Sequence, residues 1–431
     1  MTAPPWLHRP RDERLEEDTP GTLTVHDRWV LARHLRQRVF PAPQPADRAP
    51  RIGAEVEVIP IDTRSGRPLP LEAHAGVSSL SIIRRAGASA GWCERRSAKA
   101  SVPEIVLPDG GRITFEPGGQ IEISAAPNAS LSVLVGGLQD TIGAIADAAP
   151  PGVELLSCGI DPRTPIEEVA PQLDADRYRR MLRHFDTIGR SGARMMRQTA
   201  SFQVCVDGGP TPERTWRVLN ALAPYMVAIF ANSPRYAGRD TGHRSFRSHV
   251  WRSLDPQRTG LLGVCDDVVE EYLAFALEAP AFLMPDVGDT TPSFGDWLAR
   301  GDVSLDDWCL HLSTLFPEVR PRGYFELRSA DVVSPEWYAA PLSFVAGLVY
   351  HRPNLEAAAD VLGSPDRDLL VRAGRDGLAD PTLRATAPTL CDMALEGCRA
   401  LGTEFVAHAD LGRAAEFFDR YTRRGRSPAD G

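Results

Sequence analysis

Four segments of the chain alternate between polar and apolar positions. Ile52-Gly53-Ala54-Glu55-Val56-Glu57-Val58-Ile59 sets Glu55 and Glu57 on one side and Val56 and Val58 on the other. Gln120-Ile121-Glu122-Ile123-Ser124 sets Gln120, Glu122 and Ser124 against Ile121 and Ile123. The stretch 199–207 puts Thr199, Ser201, Gln203, Cys205 and Asp207 together, and 323–328 pairs Glu326 with Arg328. A period of two is the signature of a strand. Each of these strands carries acid or amide groups on its polar face, and Glu116 stands just before the Pro117-Gly118-Gly119 turn that leads into the second.

The remaining pattern supplies the frame. Ile105-Val106-Leu107 and Arg112-Ile113-Thr114-Phe115 flank Asp109-Gly110-Gly111, a hairpin signal, and 153–160 reads as a strand. Leu131, Leu134, Leu138, Ile142 and Ile145 recur at helical spacing, with Asn128 or Ser130 as the cap. Further helices are expected over 24–40, 77–88, 176–188, 212–232 and most of 335–422. A proline-rich loop covers 41–50, and a glycine- and arginine-rich loop covers 235–260. Residues 1–20 and 423–431 read as tails around a single catalytic domain, 21–422. Strands in the first two thirds, with helices between and after, predict an α+β fold whose mixed or antiparallel sheet carries the site.

Composition narrows the chemistry. With 431 residues, 43% of them hydrophobic and 24% charged, the chain can bury a sizeable core. A net charge of −9 speaks against a nucleic-acid or polybasic membrane-surface binder. Lys99 is the only lysine, so there is no phosphate-binding Gly-Lys-Ser/Thr loop, and a Schiff-base enzyme would depend on Lys99. Any phosphate must be met by arginine, backbone amides or metal ions. Seven scattered cysteines without a Cys-x-x-Cys pair read as reduced thiols. The first twenty residues hold no apolar signal-peptide core, and no run approaches the roughly 18 apolar residues of a membrane span. A soluble, cytoplasmic protein is expected.

Glu55, Glu57, Glu116, Glu122 and Glu326 form the candidate chemistry. If their strands are neighbours, five acids converge. Converging acids repel one another and are costly to ionise. Divalent cations relieve that cost, and all-oxygen ligands suit Mg2+ or Mn2+ rather than zinc. The bland alternative is a set of solvated strand faces. Arg247, Arg252 and Arg258 fall in the arginine-rich stretch, and Arg328 lies two residues from Glu326. Guanidinium forks fit carboxylate and phosphate oxygens. Metals on one side and arginines on the other suit ATP chemistry on an anionic substrate.

These motifs together, with Ala231-Asn232-Ser233-Pro234, resemble glutamate–cysteine ligase, in particular the plant-type branch and its actinobacterial relatives of ergothioneine biosynthesis. The matching motifs run in order from about 52 to 331. The resemblance implies a glutamine-synthetase-like fold, with a curved, mainly antiparallel sheet forming a cup over the active site. It implies ATP-dependent ligation of L-glutamate to L-cysteine through a γ-glutamyl phosphate, with two or more Mg2+ ions. It makes Glu55, Glu57, Glu116, Glu122 and Glu326 metal ligands. Thr199, Gln203, Arg247, Trp251, Arg258 and Arg328 become substrate or ATP binders, with Glu326 and Arg328 at the chemistry. Cys205 departs from the asparagine common in the family, and a small packed side chain is the expected reading. The acceptor amine and the downstream pathway, ergothioneine or glutathione-like, stay open. So do a guanidino-kinase-like phosphotransferase and a catalytically inert binding protein.

Overall fold

The computed structural model describes residues 21–73, 76–96, 101–285 and 291–431. The expected N-terminal tail and Lys99 lie outside the described residues. Nine strands form one sheet among the described residues: β1 Ile52–Asp62, β2 Cys93–Arg95, β3 Glu104–Val106, β4 Arg112–Phe115, β5 Ile121–Ser124, β6 Val153–Leu156, β7 Ser201–Val206, β8 Val319–Pro321 and β9 Phe325–Asp331. Their spatial order is β8-β9-β7-β1-β5-β4-β3-β2, and β6 pairs with the far half of β1. Every pairing in the sheet is antiparallel. The predicted α+β class with an antiparallel sheet is therefore what the chain adopts.

Register turns four separate polar faces into one. Glu55 lies opposite Ser124 on β5 and opposite Gln203 on β7, and Glu57 lies opposite Glu122. Glu326 lies opposite Cys205. Directly opposed residues share a face of the sheet, so the acids gather on one side. The other side carries Val56, Ile123, Phe202, Val204 and Leu327, all buried. Helices Leu131–Ala148, Pro212–Ile229 and Ala339–Val349 pack on the sheet. The Trp216 and Phe325 rings meet at 5.4 Å, and Phe202 and Tyr338 at 5.3 Å. Burying this layer is the main source of stability for the sheet.

The structure differs from the sequence pattern at three places. The strand expected over 153–160 stops at Leu156. Part of the stretch expected as loop over 235–260 is the helix Phe246–Arg252, opened by Ser245, whose hydroxyl accepts from the Ser248 N–H. The expected C-terminal tail instead folds onto the body in two 3-10 turns, Thr422–Arg424 and Pro428–Asp430. The Ala429 N–H donates to the Ala231 carbonyl, and Arg244 pairs with Asp430 at 3.1 Å. These anchors are distant in sequence, so local composition does not announce them. No helix of the described residues is long and apolar enough to cross a membrane.

The Pro117-Gly118-Gly119 turn positions two of the acids. The Gly119 N–H donates to the Glu116 carbonyl at 2.8 Å, and the Glu116 N–H to the Gln120 carbonyl at 2.9 Å. Gly119 has φ +87°, which favours glycine. A Cβ on Gly118 would stand 1.9 Å from the Arg197 carbonyl oxygen. The turn is thus wedged against the helix Ser191–Gln198, and Gln172 clamps it by donating to the Gly118 carbonyl at 2.7 Å. Gly118→Ala is expected to force these backbones apart. A thermal melt should fall by several degrees, for about 1–3 kcal/mol of overpacking, and activity should fall with it because Glu116 and Glu122 flank the turn.

Candidate active site

All five predicted acids reach one side of the sheet; Glu55, Glu122 and Glu326 are buried, and Glu57 and Glu116 are half-buried. Glu55 and Glu57 come from β1, Glu122 from β5, Glu326 from β9 and Glu116 from the turn. Burial, with Glu326 and Glu122 close by, pushes the Glu55 carboxyl up to about 8. Burial and the charges of Glu122 and Glu57 raise Glu116 well above the usual carboxylate range. Glu122 is raised by burial and Glu57, against a hydrogen bond from the Thr114 hydroxyl at 2.8 Å. Glu57 is raised by burial, against the Arg247 charge and the Ser201 N–H, which donates to it at 2.7 Å.

Glu326 behaves in the opposite way. It is the most buried of the five, yet arginines hold its carboxyl far below the usual range. Arg320 Nε donates to its Oε2 at 2.7 Å, Arg328 Nη1 to the same oxygen at 2.6 Å, and Arg322 Nη1 to Oε1 at 3.4 Å. The site therefore has two parts: four acids whose ionisation burial opposes, and one ionised acid inside an arginine clamp. Among the described residues no three acids are gathered closely enough to hold an ion by themselves. The oxygen-only donor set fits hard divalent cations that also take phosphate oxygens and water. Burial is the first cause that raises all four, with neighbouring acids adding to it at Glu55, Glu116 and Glu122, and a divalent cation held by them would favour their ionised forms.

Trp251 organises the cationic wall. It projects from the helix Phe246–Arg252 and donates its indole N–H to the Phe316 carbonyl at 3.1 Å. The guanidinium carbons of Arg247 and Arg328 each lie 5.3 Å from its ring centre. Arg247 also donates to the Arg328 carbonyl at 2.8 Å. Gln203 links this wall to the acids. Its carbonyl oxygen accepts from Arg328 at 2.7 Å, and its amide donates to Ser201 at 3.1 Å and Glu57 at 3.4 Å. Thr199 is buried two residues before the same strand, where its hydroxyl donates to the Met195 carbonyl and its own carbonyl accepts from Gln120.

Arg258 is the predicted binder that the fold does not bring to the acids. Its guanidinium is fully buried and donates to Asp255 at 2.8 Å, to the Thr314 carbonyl at 2.9 Å and to the Pro280 carbonyl. Asp255 takes a further contact from His184 at 3.0 Å. These partners tie three distant segments together, which is an anchoring arrangement. Cys205 is buried too. Burial, Glu326 and Glu55 raise its thiol well above the usual range, so it is no ready nucleophile.

Sequence reasoning missed Arg320, Arg322 and Arg177. The first two alternate about Pro321, just before the Gly323 turn, and extend the polar face of the strand that carries Glu326. That alternation was the available signal. Arg177 lies on the helix Asp176–Asp186, donates to Ser313 at 2.7 and 2.8 Å, and stands near Glu116 with Tyr178. Nothing in that arginine-rich helix distinguished it from its neighbours.

The model of glutamate–cysteine ligase family 2 (GCS2) matches residues 51–430. The chain belongs to this family. It is 37% identical over 358 residues to the glutamate–cysteine ligase EgtA of Mycolicibacterium smegmatis, a match covering 79% of this chain and 81% of that one. It is 31% identical over 343 residues to the chloroplastic glutamate–cysteine ligase of Medicago truncatula, covering 74% of this chain and 66% of the relative. Its fold is similar to that of the Francisella tularensis glutamate–cysteine ligase (gshA) crystallised with AMP, with a TM-score of 0.50 and 12% identity over 91% of this chain and 84% of that one. The GCS2 family thus accounts for nearly all of the described fold, including the C-terminal turns that the sequence pattern misread.

Two substitutions separate the clamp from the anchor. Arg328→Lys keeps charge but loses the planar guanidinium, which holds Glu326 and Gln203 through Nη1 and lies against the Trp251 ring. Turnover should fall by roughly two to three orders of magnitude, with Michaelis constants moving much less. Arg258→Met strips Asp255 of its buried partner, so its melting temperature should drop. Glutamate and ATP Michaelis constants should stay within about threefold in the protein that remains folded. Steady-state kinetics and thermal melts on both variants check the contrast.

Proposed function

We propose that this protein joins the γ-carboxylate of L-glutamate to the amine of L-cysteine, giving γ-glutamylcysteine, ADP and phosphate. The observation that carries the reading is the gathering of four acids held above the usual carboxylate range beside an arginine-clamped fifth, in a chain of the glutamate–cysteine ligase family. A binding module has no use for an acid cluster that costs stability, whereas phosphoryl transfer from ATP does.

A carboxylate is a poor acyl donor. In the first step a γ-carboxylate oxygen of glutamate attacks the γ-phosphorus of ATP, and the bond to ADP breaks. In the second, the cysteine nitrogen attacks the acyl carbon. The carbon–oxygen bond to phosphate breaks, and the amine loses a proton. Magnesium, two or more ions with manganese as an alternative, would be held by Glu55, Glu57, Glu116 and Glu122 and would supply charge neutralisation for the ATP phosphates, whereas Glu326, expected as a fifth ligand, has both oxygens engaged by Arg320, Arg322 and Arg328 and would serve by holding those arginines. In this reading Arg328, held by Glu326 and Gln203, faces the transferring phosphoryl group and the oxyanion that follows. Arg320 and Arg322 share that duty. Arg247, braced on Trp251, takes a glutamate carboxylate, and Thr199 and Gln203 border the same space. Burial strengthens each of these contacts and keeps water from the acyl phosphate. A cytoplasmic setting, where ATP is the co-substrate at hand, completes the proposal.

Product analysis by mass spectrometry tests it. The protein is incubated with ATP, Mg2+, glutamate and a mixture of amino acids. γ-Glutamylcysteine should be the main product, with ADP release requiring both glutamate and cysteine, and excess EDTA should stop the reaction. Preferential use of another amine, ADP release without a dipeptide, or full activity in EDTA would overturn the reading.

A further inference from the structure

Strict alternation from Glu326 and Arg328 would put Ala330 on the acid-bearing side of β9 and turn Asp331 into the apolar layer. The pairing with β7 shifts register between Leu327 and Ala330, so that Ala330 stands opposite Phe202 and Asp331 opposite Ser201. Such a bulge re-aims the side chains that follow it. Asp331 is thereby buried against the start of the helix Phe246–Arg252. Its Oδ2 accepts from the Asn232 N–H at 2.8 Å and the Ser233 hydroxyl at 2.6 Å, and its Oδ1 from the Ser245 hydroxyl at 2.9 Å. Arg247 Nη1 stands 3.9 Å from Oδ1. The space is closed behind it, since a Cβ on Gly159 would lie 2.4 Å from the Asp331 Cγ.

Both serines are relays. Ser233 Oγ accepts from the Arg247 N–H at 3.2 Å, and Ser245 Oγ from the Ser248 N–H at 3.1 Å. A hydroxyl has one hydrogen to give. With that hydrogen sent to Asp331, each serine turns its lone pairs to a first-turn N–H of the helix. We infer that Asp331 is a positioning residue: through Ser233 and Ser245 it fixes the first turn of the helix Phe246–Arg252, and with it the placement of Arg247 and Trp251 beside Arg328. The helix in turn closes onto β9, because the Arg247 guanidinium donates to the Arg328 and Ser329 carbonyls at 2.8 and 3.4 Å. A carboxylate is required at this point. An asparagine has one acceptor oxygen, and its amide would aim a donor at a hydroxyl whose own hydrogen then lacks an acceptor. The effect on substrate rests on the ligation reading above, in which Arg247 takes a glutamate carboxylate.

The test compares wild type, Asp331→Asn, Ser245→Ala and the double variant, with thermal melts reporting the fold. Hydrogen–deuterium exchange over 245–252 should quicken by about tenfold in each single variant, while the helix Leu131–Ala148 keeps its wild-type protection. Adding Asp331→Asn to Ser245→Ala should quicken exchange less than adding it to wild type, because the two changes act on one contact. The glutamate Michaelis constant should rise by about tenfold, with those for ATP and cysteine within roughly twofold. A lower melting temperature with wild-type exchange over 245–252, fully multiplicative effects in the double variant, or an unchanged glutamate constant would overturn the assignment. Ser245→Ala alone decides the point if Asp331→Asn does not fold, since an unchanged glutamate constant there would detach the helix cap from Arg247. Local loosening in the variants of a protein that makes no dipeptide would support the positioning role and refute the ligation.

Discussion

Four glutamates gathered on one polar face of a sheet are held above the usual carboxylate range, first by burial and, at Glu55, Glu116 and Glu122, also by one another, and the rest of the molecule is arranged around tolerating that. The strand register that gathers Glu55, Glu57 and Glu122 is fixed by the opposite face, where Val56, Ile123, Phe202 and Val204 enter the core. A one-residue slip would turn the apolar set outward, so the acids have no freedom to separate. The cost appears in their protonation. Glu55, pushed up to about 8, stabilises the fold while it holds its proton, and without a cation that contribution is lost as pH rises from its ordinary value of 4.5 through about 8. Cations and arginines are the two available remedies, and the site divides between them.

The arginine remedy is built into the fold. Arg320 and Arg322 approach Glu326 from the adjoining hairpin, and Arg328 comes from the same strand. Arg328 is steadied in turn by Gln203 and by the indole that it shares with Arg247. Trp251 sits in a small apolar cluster with Met181, Phe185, Met196, Leu254, Phe282 and Phe316. Arg258 lies over the Phe282 ring of that cluster and pins the surrounding segments. The chain from a buried anchor to an aromatic platform to a guanidinium is what gives the cationic wall a fixed position, as transition-state stabilisation requires.

Much of this was legible in the alternation of residues. Glu55, Glu57, Glu122 and Glu326 fall on one face because a strand has a period of two, and the Pro117-Gly118-Gly119 turn announces itself by composition. The partners of those faces were harder to read. Arg320 and Arg322 matter because an antiparallel hairpin lays them beside Glu326, and pairing is a tertiary fact. Arg258 carries the same chemical group as Arg328, yet burial against Asp255 and Thr314 gives it a different task. The Phe246–Arg252 helix was hidden by the glycine-rich sequence around it, although Ser245 is an ordinary helix cap. The C-terminal turns are held by Ala231 and Arg244, nearly two hundred residues away in sequence, so local composition gave no sign of them.

On the proposed function, the acid cluster is strained until a divalent cation and phosphate enter it. Thermal unfolding of the wild type and Glu116→Gln, each with and without Mg2+ and ADP, tests it most directly. The amide removes a charge that burial, Glu122 and Glu57 oppose. Without cation at neutral pH, Glu116→Gln should melt at or above the wild type. Mg2+ with ADP should raise the wild-type midpoint by several degrees and the variant by much less. A variant that melts well below the wild type without cation, and gains as much from Mg2+ and ADP, would contradict the account.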